Sequence, residues 1–234
     1  CLGGFVLPFA KKLGYNIPDF DFSLPGVSSM SLDTHKYGLA LKGTSVVLYR
    51  HRELRHAQYF CYADWTGGMY TTPTVSGSRS GGLVAQTWAS LVSIGMEGFL
   101  KHTKQIMDTT KLVADGVRKI DGIKLLGNVD AMIVCFATEP SSGMNVYSIA
   151  DKMHAKGWTL NSLQNPASVH LCITLAHIGH HDEFVQDLEV SVREVRSNPD
   201  AHSGKAAIYG MTSSLPPGPV NEMLKVYNDV VLKL

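Results

Sequence analysis

The sequence predicts an α/β protein in two parts, on three observations. Residues 1 to about 98 carry short, β-rich stretches bounded by glycine, such as "GVSSMSLD" and "TSVVLYR". Two long helical stretches, 83–95 and 97–120, follow them. Beyond Gly122 short apolar strands alternate with amphipathic helices, the pattern of a small α+β domain over 99–234.

Each element has its own reason. Residues 3–13 are weakly helical, and Gly14 ends them. Residues 27–33 and 44–50 read as strands. Residues 64–82, rich in Gly, Ser, Thr and Pro, read as a long functional loop, since Trp65 and Tyr70 argue against disorder. "LVAQTWASLVSIG", 83–95, is apolar nearly all round, so that helix is expected to be buried. Over 97–120 Phe99, Ile106, Val113, Val117 and Ile120 share one face, and Lys101, Lys104 and Lys111 form a solvated one. Strands are expected at 123–127, 131–137, 158–162 and 168–175, and helices at 145–156 and 181–197. Val169, Leu171, Ile173 and Leu175 alternate in the last strand, and Asn198-Pro199 stops the last of those helices. The link "SSLPPGP" leads to a final amphipathic helix from about 220.

The bulk numbers narrow the function. The chain has 234 residues, 44% hydrophobic and 18% charged, enough for a sizeable core. A net charge of +1 supplies no basic surplus for nucleic acid, so a small molecule is the natural partner. No apolar run reaches the roughly 20 residues that span a bilayer, and "CLGGFVLPFAKK" lacks the basic start of a signal peptide. With no initiator methionine, a fragment or processed piece is expected. Cys135 and Cys172 sit in apolar runs and read as small core residues in a reducing compartment, and Cys1 as a buried structural thiol.

The chemistry gathers around Lys36. A lysine amine becomes a nucleophile when desolvation or neighbouring cations lower its pKa, and it then forms an imine with a carbonyl. Lys36 follows His35, with Lys42 six residues on, between two expected strands. That suits a phosphorylated aldehyde held covalently. A solvated turn lysine fits the same spacing, and spacing alone does not name a ligand.

"SLDTHKYGLALKG", "DWTGGMYTTPTVSGSRSGG", "KGWTLNSLQNPASVHLCITL" and "AIYGM" together resemble the sphingosine-1-phosphate lyase family. These are fold type I pyridoxal-phosphate enzymes related to the group II decarboxylases, and the resemblance covers nearly the whole chain. It implies a PLP-transferase-like large domain with a mainly parallel seven-stranded sheet, finished here by residues 1–98, and a small C-terminal α+β domain. Lys36 matches the lysine that carries pyridoxal 5'-phosphate, His35 a histidine on the cofactor phosphate, and Lys42 a lysine for the substrate phosphate. Tyr70 matches a catalytic tyrosine and Ser78 a serine on the cofactor phosphate, both reaching into the neighbouring subunit's site of a homodimer. The aspartate that faces the ring nitrogen would lie just ahead of Cys1, and Asp33 is no substitute for it. The implied reaction is retro-aldol C2–C3 cleavage of a sphingoid base 1-phosphate to a long-chain aldehyde and phosphoethanolamine, with Lys36 or Tyr70 handling protons. A missing N-terminal segment would place the parent on the cytosolic face of the endoplasmic reticulum membrane, a soluble bacterial protein being the alternative. A related amino-acid decarboxylase and a non-catalytic dimerising paralogue are the rival functions.

Three further features carry two readings each. "HIGHH" offers His177, His180 and His181 as metal ligands or as a polar loop. Arg79 binds phosphate or caps its loop. Trp65 lines a lipid path or packs in the core. No metal is expected.

Overall fold

A computed structural model describes residues 1–198 and 216–233. The chain divides into two compact units, Cys1–Met107 and Asp108–Leu234.

In the first unit a 3-10 turn, Leu2–Phe5, runs into α1, Leu7–Lys12, which has proline in its first turn. Gly14 follows at φ +86°, a conformation that costs glycine little, and ends the helix. Strand β1, Ser29–Leu32, pairs antiparallel with β2, Val46–Tyr49, placing Ser29 opposite Tyr49 and Leu32 opposite Val46. A short α2, Arg52–His56, leads to a second antiparallel pair, β3 (Phe60–Tyr62) with β4 (Tyr70–Thr72). Helix α3, Gly81–Val117, is broken at Gly95, whose φ of +61° and ψ of −178° lie outside the helical range. Val6, Ala10, Ile17 and Phe99 are buried, and Phe99 packs on Phe5 and Phe9 at centroid distances of 5.4 and 5.1 Å.

In the second unit four strands form one antiparallel sheet ordered β5-β6-β8-β7: Ile123–Leu125, Ile133–Thr138, Ser168–Cys172 and Asn161–Leu163. Val134, Phe136, Val169 and Leu171 are buried from β6 and β8. Helix α4, Val146–Ala155, is capped by the Asn145 side chain and packs on α5, His181–Ser197, and on β8. Phe184, Leu188, Val192 and Val195 give α5 its buried stripe. The last helix, α6 (Pro217–Val231), leaves Met223, Leu224, Tyr227 and Val230 exposed.

Several expectations are corrected. The described strands of the first unit, expected to finish a mainly parallel sheet, form two antiparallel ladders of their own. Their short connections, residues 33–45 and 63–69, contain no crossover helix, which suits antiparallel pairing. Residues 83–95 are helical but not buried. Val84, Trp88 and Val92 are 61, 66 and 59% exposed, because an all-round apolar helix needs cover on every side and one side has none among the described residues. Helix α3 is also long and apolar enough, by length and composition, to count as a candidate membrane span, though no unbroken apolar run was read there; the helical core of a globular domain meets the same test. Cys1 is exposed, and Cys135 and Cys172 are half-buried rather than in the core. Both lie on the sheet face opposite the buried residues, since strand neighbours point to opposite sides. Burial still raises the Cys135 thiol pKa. The "AIYGM" stretch and the first residues of the "SSLPPGP" link lie outside the described residues.

Candidate active site

The lysine singled out by the sequence sits in the connection between β1 and β2, a loop fixed by many internal bonds. Lys36 N–H donates to Asp33 O, Leu39 N–H to Lys36 O, and Ala40 N–H to Thr34 O. Thr34 is fully buried, and its hydroxyl donates to Thr44 Oγ1 at 2.7 Å. Helix α3 ties the loop from outside. Ser90 Oγ donates to Leu39 O at 3.0 Å, and Leu41 N–H donates to Gln86 Oε1 at 2.8 Å. Leu39 holds φ +56°, a left-handed conformation that a bulky residue occupies only under constraint, and strain of this kind gathers at functional loops.

Within that loop His35 bonds the Thr44 carbonyl through Nδ1, which puts a proton on Nδ1. Its Nε2 donates to an anion only when the ring is cationic. Lys36 is 40% exposed, and its Nζ lies 2.7 Å from Asp33 Oδ2. The expectation of a desolvated amine is therefore corrected: the amine stands in a half-open ion pair. Asp33 Oδ1 accepts from Ser45 Oγ at 2.8 Å. The hydrogen bonds from Lys36 and Ser45 hold the Asp33 carboxyl below its usual range. Lys42 is exposed at the far end of the loop.

Ser78 lines a cavity of about 400 Å³ with Thr34, Thr44, Ser45, Arg79 and Thr87. Thr87 Oγ1 is buried and has no hydrogen-bond partner among the described residues, so it is available to a ligand. Arg79 donates to the carbonyls of Gly77 and Ser78 at 3.2 and 3.3 Å, the loop-capping arm of its two readings. Tyr70 is on the β3–β4 hairpin, where Phe60, Tyr62, Trp65 and Tyr70 line an apolar recess of about 320 Å³. Trp65 meets Tyr70 edge to face at 5.9 Å and is 53% exposed, so it is no core residue. A Cβ built on Gly77 would stand 3.8 Å from Tyr70 Oη, which brings the tyrosine hydroxyl to the edge of the serine loop. The structure thus gathers His35, Lys36 and Lys42 on one loop, Ser78 over a cavity that the same loop lines, and Tyr70 on a hairpin whose hydroxyl nears that serine loop.

Sequence reasoning missed the Asp33–Ser45 support and the ties to Gln86 and Ser90. The signal for the first was a carboxylate three residues before the lysine. The second pair carried no local signal. The histidines of "HIGHH" are engaged separately: His177 Nδ1 accepts from Thr174 N–H at 2.9 Å, and His180 and His181 lie 3.0 and 3.5 Å from Glu183 and Asp182. Among the described residues no three metal-binding side chains gather. Lys101, Lys104 and Lys111 are exposed, as the helical pattern requires.

The residues fit a phosphorylated aldehyde. A reachable amine suits the aldehyde, and hydroxyls with an orphaned threonine suit an anion. The carboxylate beside the amine, Asp33, faces the amine itself, so it does not serve a distant ring nitrogen.

The chain is similar to several known proteins. The chain is 49% identical over 231 residues to a sphingosine-1-phosphate lyase of Arabidopsis thaliana, covering 98% of this chain and 42% of that protein. It is 50% identical over 218 residues to a sphingosine-1-phosphate lyase of Dictyostelium discoideum, covering 92% and 40%. The chain therefore spans about 40% of the length of these curated relatives. Among solved structures, a sphingosine-1-phosphate lyase of Burkholderia pseudomallei superimposes with a TM-score of 0.80 at 40% identity, over 91% of this chain and 47% of that one. A glutamate decarboxylase of Lactobacillus brevis gives a TM-score of 0.68 at 21% identity, a likeness of fold. Residues 2–139 match the family described as the pyridoxal-dependent decarboxylase conserved domain. With that match over more than half its length, the chain belongs to the pyridoxal-dependent decarboxylase family.

Proposed function

We propose that this chain carries the cofactor-lysine segment of a lyase that cleaves sphingoid base 1-phosphates between C2 and C3, releasing a long-chain aldehyde and phosphoethanolamine. The observation that carries the reading is the Lys36 loop: an accessible amine on a segment tied at Ser90 and Gln86, in a chain similar to sphingosine-1-phosphate lyases over nearly its whole length. When bound, pyridoxal phosphate supplies the electron sink that lets the carbon–carbon bond break.

Lys36 holds the cofactor covalently. His35, fixed through Thr44, faces the cofactor phosphate, and Ser78 serves a phosphate from its glycine-flanked loop. Lys42, exposed on a long side-chain stem, receives the substrate phosphate as a point charge. Tyr70 moves a proton in the cleavage, and the aromatic recess around it offers an apolar surface beside that hydroxyl. The reading includes a homodimer that shares Tyr70 and Ser78 between subunits. The exposed Val84, Trp88 and Val92 support it as surface in need of cover. It also includes a small C-terminal domain built on the four-stranded sheet, and placement of the parent on the cytosolic face of the endoplasmic reticulum by family resemblance.

The test is direct. The full-length protein, supplied with cofactor, is mixed with a sphingoid base 1-phosphate, and aldehyde and phosphoethanolamine are measured. Both products are expected, and Lys36→Ala abolishes them. Carbon dioxide from an amino acid, without cleavage of the phosphorylated base, would move the protein to the decarboxylase reading and leave Lys42 without its role.

A further inference from the structure

Asp33 is a prepared acceptor. Its side chain is 13% exposed, and each carboxylate oxygen has its own donor: Ser45 Oγ to Oδ1 at 2.8 Å, Lys36 Nζ to Oδ2 at 2.7 Å. Ser45 Oγ also reaches Leu32 O at 3.1 Å, so the hydroxyl bridges the end of β1 to the carboxylate. The Asp33 N–H donates to Cys1 O, and its carbonyl accepts from Lys36 N–H. The carboxylate is therefore fixed at main chain and side chain alike, while the lysine that meets it is long and half-exposed. A flexible amine beside a rigid anion has one favoured parking position.

On the reading that Lys36 is the cofactor lysine, this amine is released in every turnover. The substrate's nitrogen takes its place, one amine replacing another with a proton moving between them and no change of oxidation state. A released lysine on a free stem would sample many rotamers and could block the substrate. We propose that Asp33, braced by Ser45, is a positioning residue that docks the free Lys36 ammonium, holding it clear while the substrate reacts and keeping it in reach for its return. It does so without touching cofactor or substrate.

The experiment uses the full-length protein in two states. In the cofactor-free state, acylation of Lys36 by acetic anhydride at neutral pH is followed by mass spectrometry, with other lysines as internal references. A half-exposed ion pair is worth up to about five-fold in such an equilibrium. Asp33→Asn, which keeps the shape and loses the charge, should raise Lys36 acylation by up to about five-fold, and Ser45→Ala by a smaller factor. In the loaded state Asp33→Asn should lower kcat with KM little changed, and Asp33→Glu should recover part of the loss. Unchanged acylation in Asp33→Asn overturns the proposal, as does a loss of thermal stability without any change at Lys36, which would make Asp33 merely structural. Failure of the underlying reading looks different: the visible absorbance of the bound cofactor would then survive Lys36→Ala, whatever the acylation pattern.

Discussion

Gly38→Ala tests the packing of the lysine loop. Gly38 is buried, and a Cβ placed there would stand 2.5 Å from Thr34 O, 3.0 Å from Thr34 Cα and 3.1 Å from the Phe5 ring. The first two are main-chain atoms and cannot swing aside. Thr34 is itself fully buried, its hydroxyl is bonded to Thr44, and its carbonyl accepts the Ala40 N–H at 3.0 Å. Overpacking of this kind costs about 1–3 kcal/mol, and loss of the Ala40 bond adds about 1 kcal/mol. The stiffer unfolded chain of alanine returns about 0.5 kcal/mol. The net expectation is a destabilisation of about 1.5–3.5 kcal/mol, together with weaker cofactor capture because Lys36 is two residues away. Urea denaturation of the full-length protein reads the first, and titration of the visible cofactor band reads the second. Gly26→Ala is the control: Gly26 is exposed with open space around it, so alanine there should be neutral or slightly stabilising. A Gly38→Ala protein with wild-type stability and wild-type cofactor affinity would refute the claim that this loop is closely packed.

Two other outcomes are expected in the second unit. Phe184 is 1% exposed and meets Trp158 edge to face at 5.1 Å. Phe184→Ala should therefore cost about 3–5 kcal/mol by denaturant melt and change Trp158 fluorescence. Burial lowers the pKa of His170, and burial, with a smaller effect of the nearby His180, lowers that of His177. Below the ordinary histidine value of about 6.5 the unfolded chain binds these protons first. Stability should be full above that pH and decline as pH falls through the lower folded values. Melts across this range check it, and the slope should shrink in His170→Gln.

The secondary structure was most legible where period and caps agreed. The stripe Phe184, Leu188, Val192, Val195 marked α5, and α4 falls within the helix expected over 145–156. The strand expected over 168–175 was readable because Val169, Leu171 and Ile173 alternate toward one core, though β8 ends at Cys172 and Leu175 opens a 3-10 turn. The hairpin β3–β4 was not legible. Its strands are three residues each, and Phe60, Tyr62 and Tyr70 are exposed, so no buried face imposed an alternation. The exposure of 83–95 was unreadable too, because composition states what a helix would bury and not whether anything covers it. At the site, the residue types and the resemblance named His35, Lys36, Lys42, Tyr70 and Ser78. What they could not show was contact at long separation, such as Ser90 to Leu39 or Ser45 to Asp33.

The two ties from α3 have a mechanical consequence. Gln86 and Ser90 are four residues apart, about 6 Å along a helix axis. They grip the main chain at Leu39 and Leu41, like two teeth of a rack engaging one link. A loop held at two points on one rigid rod cannot pivot about either. It travels with the stretch of helix before Gly95, and whatever rolls or slides that stretch carries the lysine's backbone along by a comparable distance.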